Sequence, residues 1–341
     1  MKTLVLEQPR VLRLTDTAPP EQPAVGEALV RVRRVGICGS DLHAYKGEQP
    51  FFSYPRILGH ELGVEVVALG PSDAPVKLAV GERCCLNPYL NCGVCGACRR
   101  GRPNCCTNLK VLGVHIDGGM RELLAVPSAK LRSSGRLSLE QLALVEMLCI
   151  GAHAVGRAEL AAGTEVLVIG AGPIGLSVIQ FAQLAGAKVI GMELSEQRRA
   201  FARRQLGVER WVDGRSEVLP QLEELLSGEL PTVVFDATGN GGSMMQAFNY
   251  VGQGGKLVFV GLFQGEVTFD DPEFHRRELS VLASRNATDE DFAHVIAKLE
   301  AGQIEVASWI THRVSPERMV GEFADWLEPE NGVVKAMLEF D

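Results

Sequence analysis

Hydrophobic and polar residues alternate along the first part of the chain in short runs that are separated by glycine and proline. Residues 29–35 and 63–69 are two such runs, and a period of two predicts β-strands. Residues 111–131 return to the same pattern. Many short strands with glycine and proline between them favour a small barrel or sandwich. We therefore predict that the chain begins with a β-rich domain.

The period of the apolar positions becomes helical near Ser138, which we predict as the N-cap of an apolar helix that extends to residue 158. From residue 164 onward, short apolar runs alternate with helical segments. The predicted strands are 166–169, 189–192, a segment near Trp211, 233–237, 257–260 and 279–283, and the first two intervening helices are 173–185 and 196–206. About six strands that alternate with helices predict a doubly wound parallel sheet.

The last segment, from Ser284, contains a predicted helix at residues 289–299 and short strands. We expect it to return to the first domain and make that domain discontinuous. The fold class is therefore α/β, with a β-rich domain over residues 1–145 and 285–341 and a nucleotide-binding domain over residues 146–284.

Composition and charge narrow the class of protein. The chain has 341 residues, 46% of them hydrophobic, which is enough apolar material for two cores. A net charge of −8 argues against general affinity for nucleic acid or anionic membranes. We find no run of about 18 apolar residues and no signal-peptide pattern. Nine cysteines in such a chain favour a reducing cytoplasm, and metal binding over disulfides.

The densest cysteine pattern is NCGVCGACRRGRPNCC, at residues 91–106. Three of its cysteines are spaced three apart and a fourth follows eight residues later: Cys92, Cys95, Cys98 and Cys106. Four thiolates turned toward one point form a closed, structural zinc site. Cys105 is an alternative fourth ligand, and a disulfide cluster is the alternative to the metal. We predict a zinc lobe at about residues 88–108, with Cys106 as the fourth ligand.

A glycine-rich turn, GAGPIG, follows the strand predicted at residues 166–169 and opens a helix. In this context a G-x-G-x-x-G motif binds the pyrophosphate of a dinucleotide through these residues: Gly170, Gly172, Pro173, Ile174 and Gly175. Glu193 ends the next strand, where an acid accepts hydrogen bonds from the adenosine ribose and repels a 2′-phosphate. We predict NAD rather than NADP. Arg198 and Arg199 argue against the prediction of NAD, because an arginine at such a position can bind a 2′-phosphate. The alternative is that both arginines lie on a solvated helix face.

Two further loops carry candidate ligands for a second metal. Cys38 in GICGSDLH and His60 in GHE are typical of a catalytic zinc that keeps one position open for substrate. A third ligand is needed, and Glu146 lies in an apolar helical stretch where an unpaired carboxylate would be costly. Cys149 is its competitor on the same face of that helix. Glu61 is a second carboxylate close enough to exchange onto the metal.

Together these motifs resemble one family. GICGSDLH, LGHELGVEV, the four-cysteine lobe, EMLCIGAH and VLVIGAGPIG resemble the zinc-dependent medium-chain dehydrogenases over essentially the whole chain. The resemblance implies a GroES-like catalytic domain, a Rossmann domain, NAD, a structural zinc on the four cysteines, and a catalytic zinc on Cys38, His60 and Glu146 with Glu61 beside it. A glutamate at position 146 is similar to the polyol and threonine dehydrogenase branch, in which proline usually follows where Met147 stands here. We also expect a homo-oligomer, either a dimer or a tetramer.

The resemblance also implies how the reaction proceeds. Zinc acts as a Lewis acid on the substrate hydroxyl, and the alcohol carbon gives a hydride to the nicotinamide. The proton leaves through Ser40, a cofactor ribose hydroxyl and His43, and the alternatives for the two side chains are a turn hydroxyl and a surface imidazole. Four residues at the ends of strands in the nucleotide sheet are predicted to contact the cofactor: Gly261, Leu262, Arg285 and Asn286.

Residues 49–61, 111–120 and 261–291 resemble the branch of the family that oxidises the C5 hydroxyl of sugar acids such as L-galactonate. We take these stretches as not required by the fold and therefore as informative about the substrate. The predicted function is NAD-dependent oxidation of a secondary alcohol of a sugar acid. The alternatives are a sorbitol-type polyol, sugar or L-threonine dehydrogenase and, outside the enzymes, a zinc- and nucleotide-binding redox sensor.

The residues that would contact such a substrate remain open at this level. Three aromatic residues are candidates for walls of the cleft, although such a loop is often only a lid or an interface: Phe51, Phe52 and Tyr54. Three basic residues are candidates for binding the substrate carboxylate: Arg56, His115 and Arg285. The joint presence of the candidate zinc ligands with Ser40 and His43 argues against the redox sensor.

Overall fold

The structure is a computed structural model that describes residues 1–50, 52–72 and 78–341. Its strands, in chain order, are β1 (Lys2–Gln8), β2 (Val11–Asp16), β3 (Glu27–Gly36), β4 (Glu61–Leu69), β5 (Arg83–Leu86), β6 (Tyr89–Leu90), β7 (Lys110–Val111), β8 (Leu123–Pro127), β9 (Leu131–Ser133), β10 (Glu165–Ile169), β11 (Lys188–Glu193), β12 (Arg210–Asp213), β13 (Val233–Asp236), β14 (Lys256–Phe259), β15 (Ser280–Ala283), β16 (Ile310–Val314) and β17 (Lys335–Glu339). Its α-helices are α1 (Gly39–Lys46), α2 (Gly96–Arg99), α3 (Leu139–Ala158), α4 (Pro173–Leu184), α5 (Glu196–Leu206), α6 (Val218–Leu225), α7 (Gly241–Ala247), α8 (Asp271–Arg276), α9 (Asp289–Glu300) and α10 (Pro316–Glu322).

The chain divides into two compact units, which we call unit 1 (residues 1–147 and 287–341) and unit 2 (residues 148–286). A seven-stranded sheet forms the centre of unit 1, in the order β16-β17-β3-β4-β5-β9, with β8 also paired to β3. Val30, Val32 and Val35 of β3 are buried in its core. β17, near the end of the chain, pairs antiparallel with β3 and places Leu338 opposite Val35. The predicted β-rich fold of the first domain is confirmed.

Unit 2 contains a six-stranded sheet in the order β12-β11-β10-β13-β14-β15, with every neighbouring pair parallel. The central strands are continuous apolar runs because both faces of such a sheet are covered. Strand order reverses between β10 and β13, which is where open α/β sheets bind ligands. The doubly wound parallel sheet predicted from the sequence is confirmed.

The apolar helix predicted near Ser138 is α3. The hydroxyl of Ser138 accepts a hydrogen bond from the N–H of Gln141 at 3.2 Å, and the side chain of Gln141 accepts one from the N–H of Ser138 at 2.9 Å. Within the described ranges, α3 is the one helix that is long and apolar enough to cross a membrane, with a mean hydropathy of 1.3. Two thirds of its apolar window (67%) is buried inside the structure, as in the core helix of a globular fold.

Candidate active site and metal centres

The strand order of unit 1 brings two predicted metal ligands together. β3 ends at Gly36 and β4 begins at Glu61, and these two residues lie opposite each other in the antiparallel ladder. Cys38 follows β3 by two residues and serves as the N-cap of α1. His60 immediately precedes β4. Two loops that are distant in sequence therefore leave neighbouring strands at the same end of the sheet.

The side chains of Cys38, His60 and Glu61 each offer one potential ligand atom, and these three atoms all lie within 4.8 Å of one another. The cluster is half-buried at Cys38 and buried at the other two residues. A thiol, an imidazole and a carboxylate are donors that zinc takes in proteins, and three protein ligands leave one position for a substrate. The residues present therefore fit the catalytic metal that the sequence predicts.

Asp41 is a residue of this site that the sequence analysis above did not single out. Its carboxylate is buried, with Oδ2 accepting a hydrogen bond from the N–H of Cys38 at 2.9 Å and Oδ1 lying 3.8 Å from Nδ1 of His60. Burial lowers the pKa of His60, but the charges of Asp41 and Cys38 raise it well above the ordinary value. The surroundings of His60 thus favour positive charge. The available signal was position, since Asp41 stands three residues after an N-cap and completes a capping box.

Glu146, the predicted third ligand, does not belong to the 4.8 Å cluster found among the described residues. Its side chain is 4% exposed, and the hydroxyl of Tyr89 donates a hydrogen bond to its Oε1. Burial raises the pKa of the Glu146 carboxyl, and the charge of His60 opposes this effect. Glu146 therefore lies within electrostatic reach of the cluster but is held by a partner of its own. Its competitor Cys149 is buried and lies outside both cysteine-containing clusters that the described part of the chain forms.

Glu61 also has a partner that was not predicted. Nζ of Lys335, on β17, donates to both carboxylate oxygens of Glu61 at 2.8 Å and to the carbonyl of Ile37 at 3.0 Å. Both side chains are buried, at 0% and 2% exposure. A Cβ atom at Gly36 would lie 2.1 Å from Oε2 of Glu61, so this glycine makes room for the carboxylate. The one local cue is a lysine within the apolar strand KAMLE.

Glycines also fix the loop that carries His60. Gly59 has a φ of 93°, and a Cβ atom at Gly118 would lie 2.3 Å from the carbonyl oxygen of Gly59. The N–H of Gly119 donates to that same oxygen at 2.8 Å. Residues 111–120 thus support the backbone next to a metal ligand. The substrate information carried by the rest of this stretch stays a prediction.

The second cluster of potential ligands is formed by four cysteines whose sulfur atoms all lie within 4.8 Å of one another: Cys92, Cys95, Cys98 and Cys106. Cys105 is exposed and lies outside this group. Backbone N–H groups of Cys98 and Thr107 lower the pKa of Cys95 to about 5, which favours the thiolate that a metal requires. Four sulfur donors fit a closed zinc site. The pairing of β6 with β7, two residues each, closes the base of this lobe.

Ser40 and His43, the predicted proton relay, lie three residues apart on α1 and so share one face of the helix. Ser40 is half-buried, whereas His43 is exposed. Because Cys38 is the N-cap of α1, this face extends from the metal-binding loop toward solvent. The arrangement suits the transfer of a proton from the site to water.

In unit 2 the glycine-rich motif forms the turn between β10 and α4. Gly170 has a φ of 94°, and a Cβ atom at Gly175 would lie 1.8 Å from the carbonyl oxygen of Gly170. Gly172 is the N-cap, and a Cβ atom there would meet only Nη1 of Arg198, at 4.0 Å. Pro173 occupies the first turn, where its missing N–H is not needed. The turn is therefore open above Gly172 and fits a pyrophosphate at the helix N-terminus.

Glu193 ends β11, and its carboxylate accepts hydrogen bonds from backbone groups near this turn. Its Oε2 accepts a hydrogen bond from the N–H of Ala171 at 2.8 Å, and its Oε1 accepts two more, from Leu194 at 2.7 Å and Ser195 at 2.9 Å. Ribose binding was the role predicted from the sequence, and the structure adds this backbone role. Arg198 is exposed on α5 beside the turn, whereas Arg199 is buried and its Nη2 pairs with Glu196 at 2.5 Å. Of the two arginines, Arg198 is thus the one placed near a bound nucleotide.

The remaining cofactor candidates lie where β14 and β15 end. A Cβ atom at Gly261 would lie 2.3 Å from the backbone nitrogen of Gly239, so two loops touch there. Leu262 is 65% exposed, and Arg285 is exposed as well. Asn286 has a φ of 53°, and its buried Nδ2 has no hydrogen-bond partner. An amide donor without a partner at this edge fits a ligand that supplies an acceptor.

The substrate candidates of unit 1 are mostly engaged by other parts of the fold. Phe52 and Tyr54 pack against the core with ring centroids 4.9 Å apart, and Phe51 lies outside the described residues. Arg56 donates to Asp117 at 3.3 Å and to a serine hydroxyl at 2.6 Å. Nδ1 of His115 accepts a hydrogen bond from the N–H of Val111 at 3.1 Å. Neither basic residue is placed as an uncommitted anion receptor.

Two family models match the chain: an alcohol dehydrogenase GroES-like domain over residues 24–133 and a zinc-binding dehydrogenase over residues 173–301. L-Galactonate-5-dehydrogenase of Escherichia coli K12 is 43% identical over 313 residues, which cover 92% of this chain and 91% of that protein.

Solved structures give the same result. A protein of Escherichia coli CFT073 described as a short chain alcohol dehydrogenase, complexed with NADH, has a TM-score of 0.92 and 29% identity, with 100% of this chain and 99% of that one covered. A zinc-binding dehydrogenase of Sinorhizobium meliloti 1021 bound to NADP has a TM-score of 0.90 and 30% identity, with 99% of each chain covered. The sequence similarity, the two matching domain models and the two folds agree: the chain is an oxidoreductase that belongs to the zinc-type alcohol dehydrogenase family.

Proposed function

We propose that the enzyme oxidises a secondary hydroxyl of a sugar acid of the L-galactonate type to a ketone, with NAD as the hydride acceptor. The observation that carries this proposal is the 43% identity to L-galactonate-5-dehydrogenase over 92% of the chain. The thiol, imidazole and carboxylate cluster of unit 1 and the phosphate-binding turn of unit 2 supply the sites that such a reaction needs.

Two zinc ions are proposed per chain. The structural ion is bound by the four cysteines of the lobe. The catalytic ion is bound by Cys38 and His60, and it takes its carboxylate ligand from Glu146, with Glu61 as the second carboxylate beside it. Asp41 holds both loops in register, because its two oxygens face the N–H of Cys38 and the ring of His60. Such outer contacts orient metal ligands and sustain their basicity.

When bound, zinc would polarise the substrate oxygen and lower the pKa of its hydroxyl, and NAD would accept the hydride. The chain itself must remove the proton. In the proposed relay Ser40 receives it, and His43, one helical turn further and exposed, delivers it to water. Lys335 compensates the charge of Glu61, with which it is paired in the core.

The choice of NAD rests on Glu193. Solved relatives contain NADH in one case and NADP in another, so the family alone does not decide. The carboxylate of Glu193 ends β11 next to the phosphate turn, where a 2′-phosphate would meet a negative charge. Arg198 beside Gly172 then contacts the pyrophosphate or solvent.

A homo-oligomer in the cytoplasm is proposed as the working state. The support for association is the edge of the six-stranded sheet, where β15 has β14 on one side and exposes Val281. An exposed strand edge is a template for pairing with another copy. Light scattering of the purified protein measures the mass directly, and a monomer would contradict this part of the proposal.

The test is kcat/KM with NAD at one pH for L-galactonate, other six-carbon aldonates, sorbitol, ethanol and L-threonine. We expect an aldonate to be the best substrate and ethanol to be very poor. A site built to hydrogen-bond several hydroxyls and a carboxylate rejects analogues that leave its polar groups unpaired, by up to about 10⁴-fold. Absence of turnover on every alcohol would favour a zinc- and nucleotide-binding sensor instead.

A neutral polyol is the second candidate, and one observation favours it. Arg56, a predicted carboxylate receptor, is already engaged by Asp117 and a serine. If sorbitol or another polyol exceeds every aldonate in the same panel, the acid part of the proposal is wrong, while the dehydrogenase assignment stands.

A further inference from the structure

Tyr89 is a buried tyrosine whose hydroxyl reaches the proposed catalytic centre. Its side chain is 4% exposed, and the hydroxyl donates a hydrogen bond to Oε1 of Glu146. Nothing assigned to the reaction so far uses this residue. A buried tyrosine hydroxyl usually has a hydrogen-bond partner. Here the partner is the carboxylate of a proposed metal ligand, so the contact can influence metal binding.

The position of Tyr89 is fixed from several sides. Its backbone N–H donates to Oδ1 of Asn87 at 3.0 Å, and Nδ2 of Asn87 donates to Asp289 at 2.8 Å. Its ring meets Phe292 of α9 edge to face, with centroids 6.4 Å apart. Its own strand, β6, is paired with β7 at the base of the four-cysteine lobe. The hydroxyl therefore sits on a rigid support, as a group that orients another must.

The two carboxylates near Cys38 and His60 have different partners. Both oxygens of Glu61 accept from the ammonium of Lys335, which neutralises that carboxylate. Glu146 accepts a hydrogen bond from a neutral phenol at one oxygen, Oε1. With Oε1 engaged, Oε2 is the oxygen that can turn to a cation. Both oxygens of Glu61, by contrast, are held by the ammonium of Lys335, so Glu146 is the carboxylate with an oxygen to offer.

We propose that Tyr89 is a positioning residue that holds Oε1 of Glu146, so that Oε2 faces the metal bound by Cys38 and His60 and Glu146, rather than Glu61, completes the ligand set. This inference rests on the proposed catalytic metal centre. Tyr89 acts through Glu146 and does not itself contact the metal. Glu146 lies outside the cluster of Cys38, His60 and Glu61, so its Oε2 must turn toward Cys38 and His60 when the metal binds.

The experiment compares zinc affinity in four purified chains. Competition with a chromophoric chelator measures the Kd of the more weakly bound of the two zinc ions, and circular dichroism verifies the fold. Tyr89→Phe keeps the ring and removes the hydroxyl, and we expect Kd to rise about 10- to 100-fold, as for other groups that orient metal ligands. Glu146→Ala should raise Kd at least as much. Tyr250→Phe, a buried tyrosine in the core of unit 2, is the matched control and should leave Kd unchanged.

The double variant Tyr89→Phe/Glu146→Ala separates this role from general packing. If Tyr89 acts through Glu146, the double variant should match Glu146→Ala alone, which is full coupling in a double-mutant cycle. An unchanged Kd in Tyr89→Phe, with a raised Kd in Glu146→Ala, would overturn the positioning role and leave the metal centre standing. An unchanged Kd in Glu146→Ala would overturn both. Should Tyr89→Phe not fold, Asn87→Ala, which releases the backbone of Tyr89, must raise Kd for the inference to hold.

Discussion

Replacing Lys335 by methionine removes one half of a buried ion pair and leaves the other half in place. Glu61 is 0% exposed, and both of its oxygens accept hydrogen bonds from Nζ at 2.8 Å. Methionine keeps much of the side-chain volume but no charge, so Glu61 becomes an uncompensated buried carboxylate. Breaking a buried pair from one side costs about 3–5 kcal/mol in the free energy of unfolding. We expect Lys335→Met to lose stability in that range.

A second variant separates the charge from the packing. Lys335→Met/Glu61→Gln removes both charges at nearly constant volume, and replacing a whole buried pair is often close to neutral. We therefore expect the double variant to recover most of the loss. Because a bound zinc ion would compensate a free Glu61, the comparison is repeated with His60→Ala in every chain. In the His60→Ala background, the loss in the free energy of unfolding caused by Lys335→Met should be largest.

Urea unfolding followed by tryptophan fluorescence is the assay. Trp309 and Trp326 lie in unit 1, whereas Trp211 lies in unit 2. In a Trp211→Phe background the signal therefore reports on unit 1 alone, which avoids mixing the transitions of two units. A loss below about 1 kcal/mol in the single variant, the value of an exposed pair, would refute the reasoning. So would a double variant as unstable as the single one.

The remaining predictions concern metal, cofactor and pH. Metal analysis should find two zinc ions per chain. Cys98→Ser should lower the yield of folded protein, whereas His60→Ala should give a folded, inactive protein with one zinc ion. Turnover by His60→Ala would contradict the proposed catalytic centre. Glu193→Ala should reduce the preference for NAD over NADP. It should also lower kcat/KM with each cofactor, because three backbone N–H groups lose their acceptor. Equal kcat/KM with NADP in the unmutated enzyme would overturn the cofactor assignment. Burial raises the pKa of Glu140, but its own backbone N–H and the guanidinium of Arg34 bring the net pKa below the ordinary value of 4.5. The ionised carboxylate therefore stabilises the fold above pH 4.5, and this contribution is lost as the pH falls through the folded-state pKa. The urea midpoints of the wild type and Arg34→Met should therefore differ at pH 7 and converge toward pH 3, and a constant difference would exclude this linkage.

Local patterns sufficed for most of the fold. The helix over residues 196–206 was predicted with the bounds that α5 has, and the capping role of Ser138 follows from its spacing to Gln141. The phosphate turn was predictable because glycine, strand and helix are consecutive in the chain. Each of these features depends on residues within about one or two turns of each other, which is the range over which periodicity and capping act.

The parts of the site that were missed depend on contacts between distant segments. Lys335 and Glu61 are 274 positions apart, and Tyr89 and Glu146 are 57 apart. No spacing rule connects such residues, because their proximity is set by the pairing of whole strands. The spacing also could not show that Glu146 would have a phenol partner and lie outside the cluster formed by Cys38. Asp41 is the exception, since it lies only three residues after Cys38, but a cysteine at the N-cap does not give the usual capping-box pattern.

The two-residue ladder at the base of the cysteine lobe has a consequence for how the enzyme responds to its zinc supply. A loop with so short a ladder owes its order largely to its metal, so binding there is also local folding. Tyr89 lies on one strand of that ladder and holds Glu146 with its side chain. If Tyr89 orients Glu146, filling the lobe should raise the zinc affinity of the catalytic centre, and reciprocity requires the reverse. Cys98→Ser, which removes a ligand of the lobe, should therefore also raise the Kd of the catalytic zinc ion in the folded protein that is recovered.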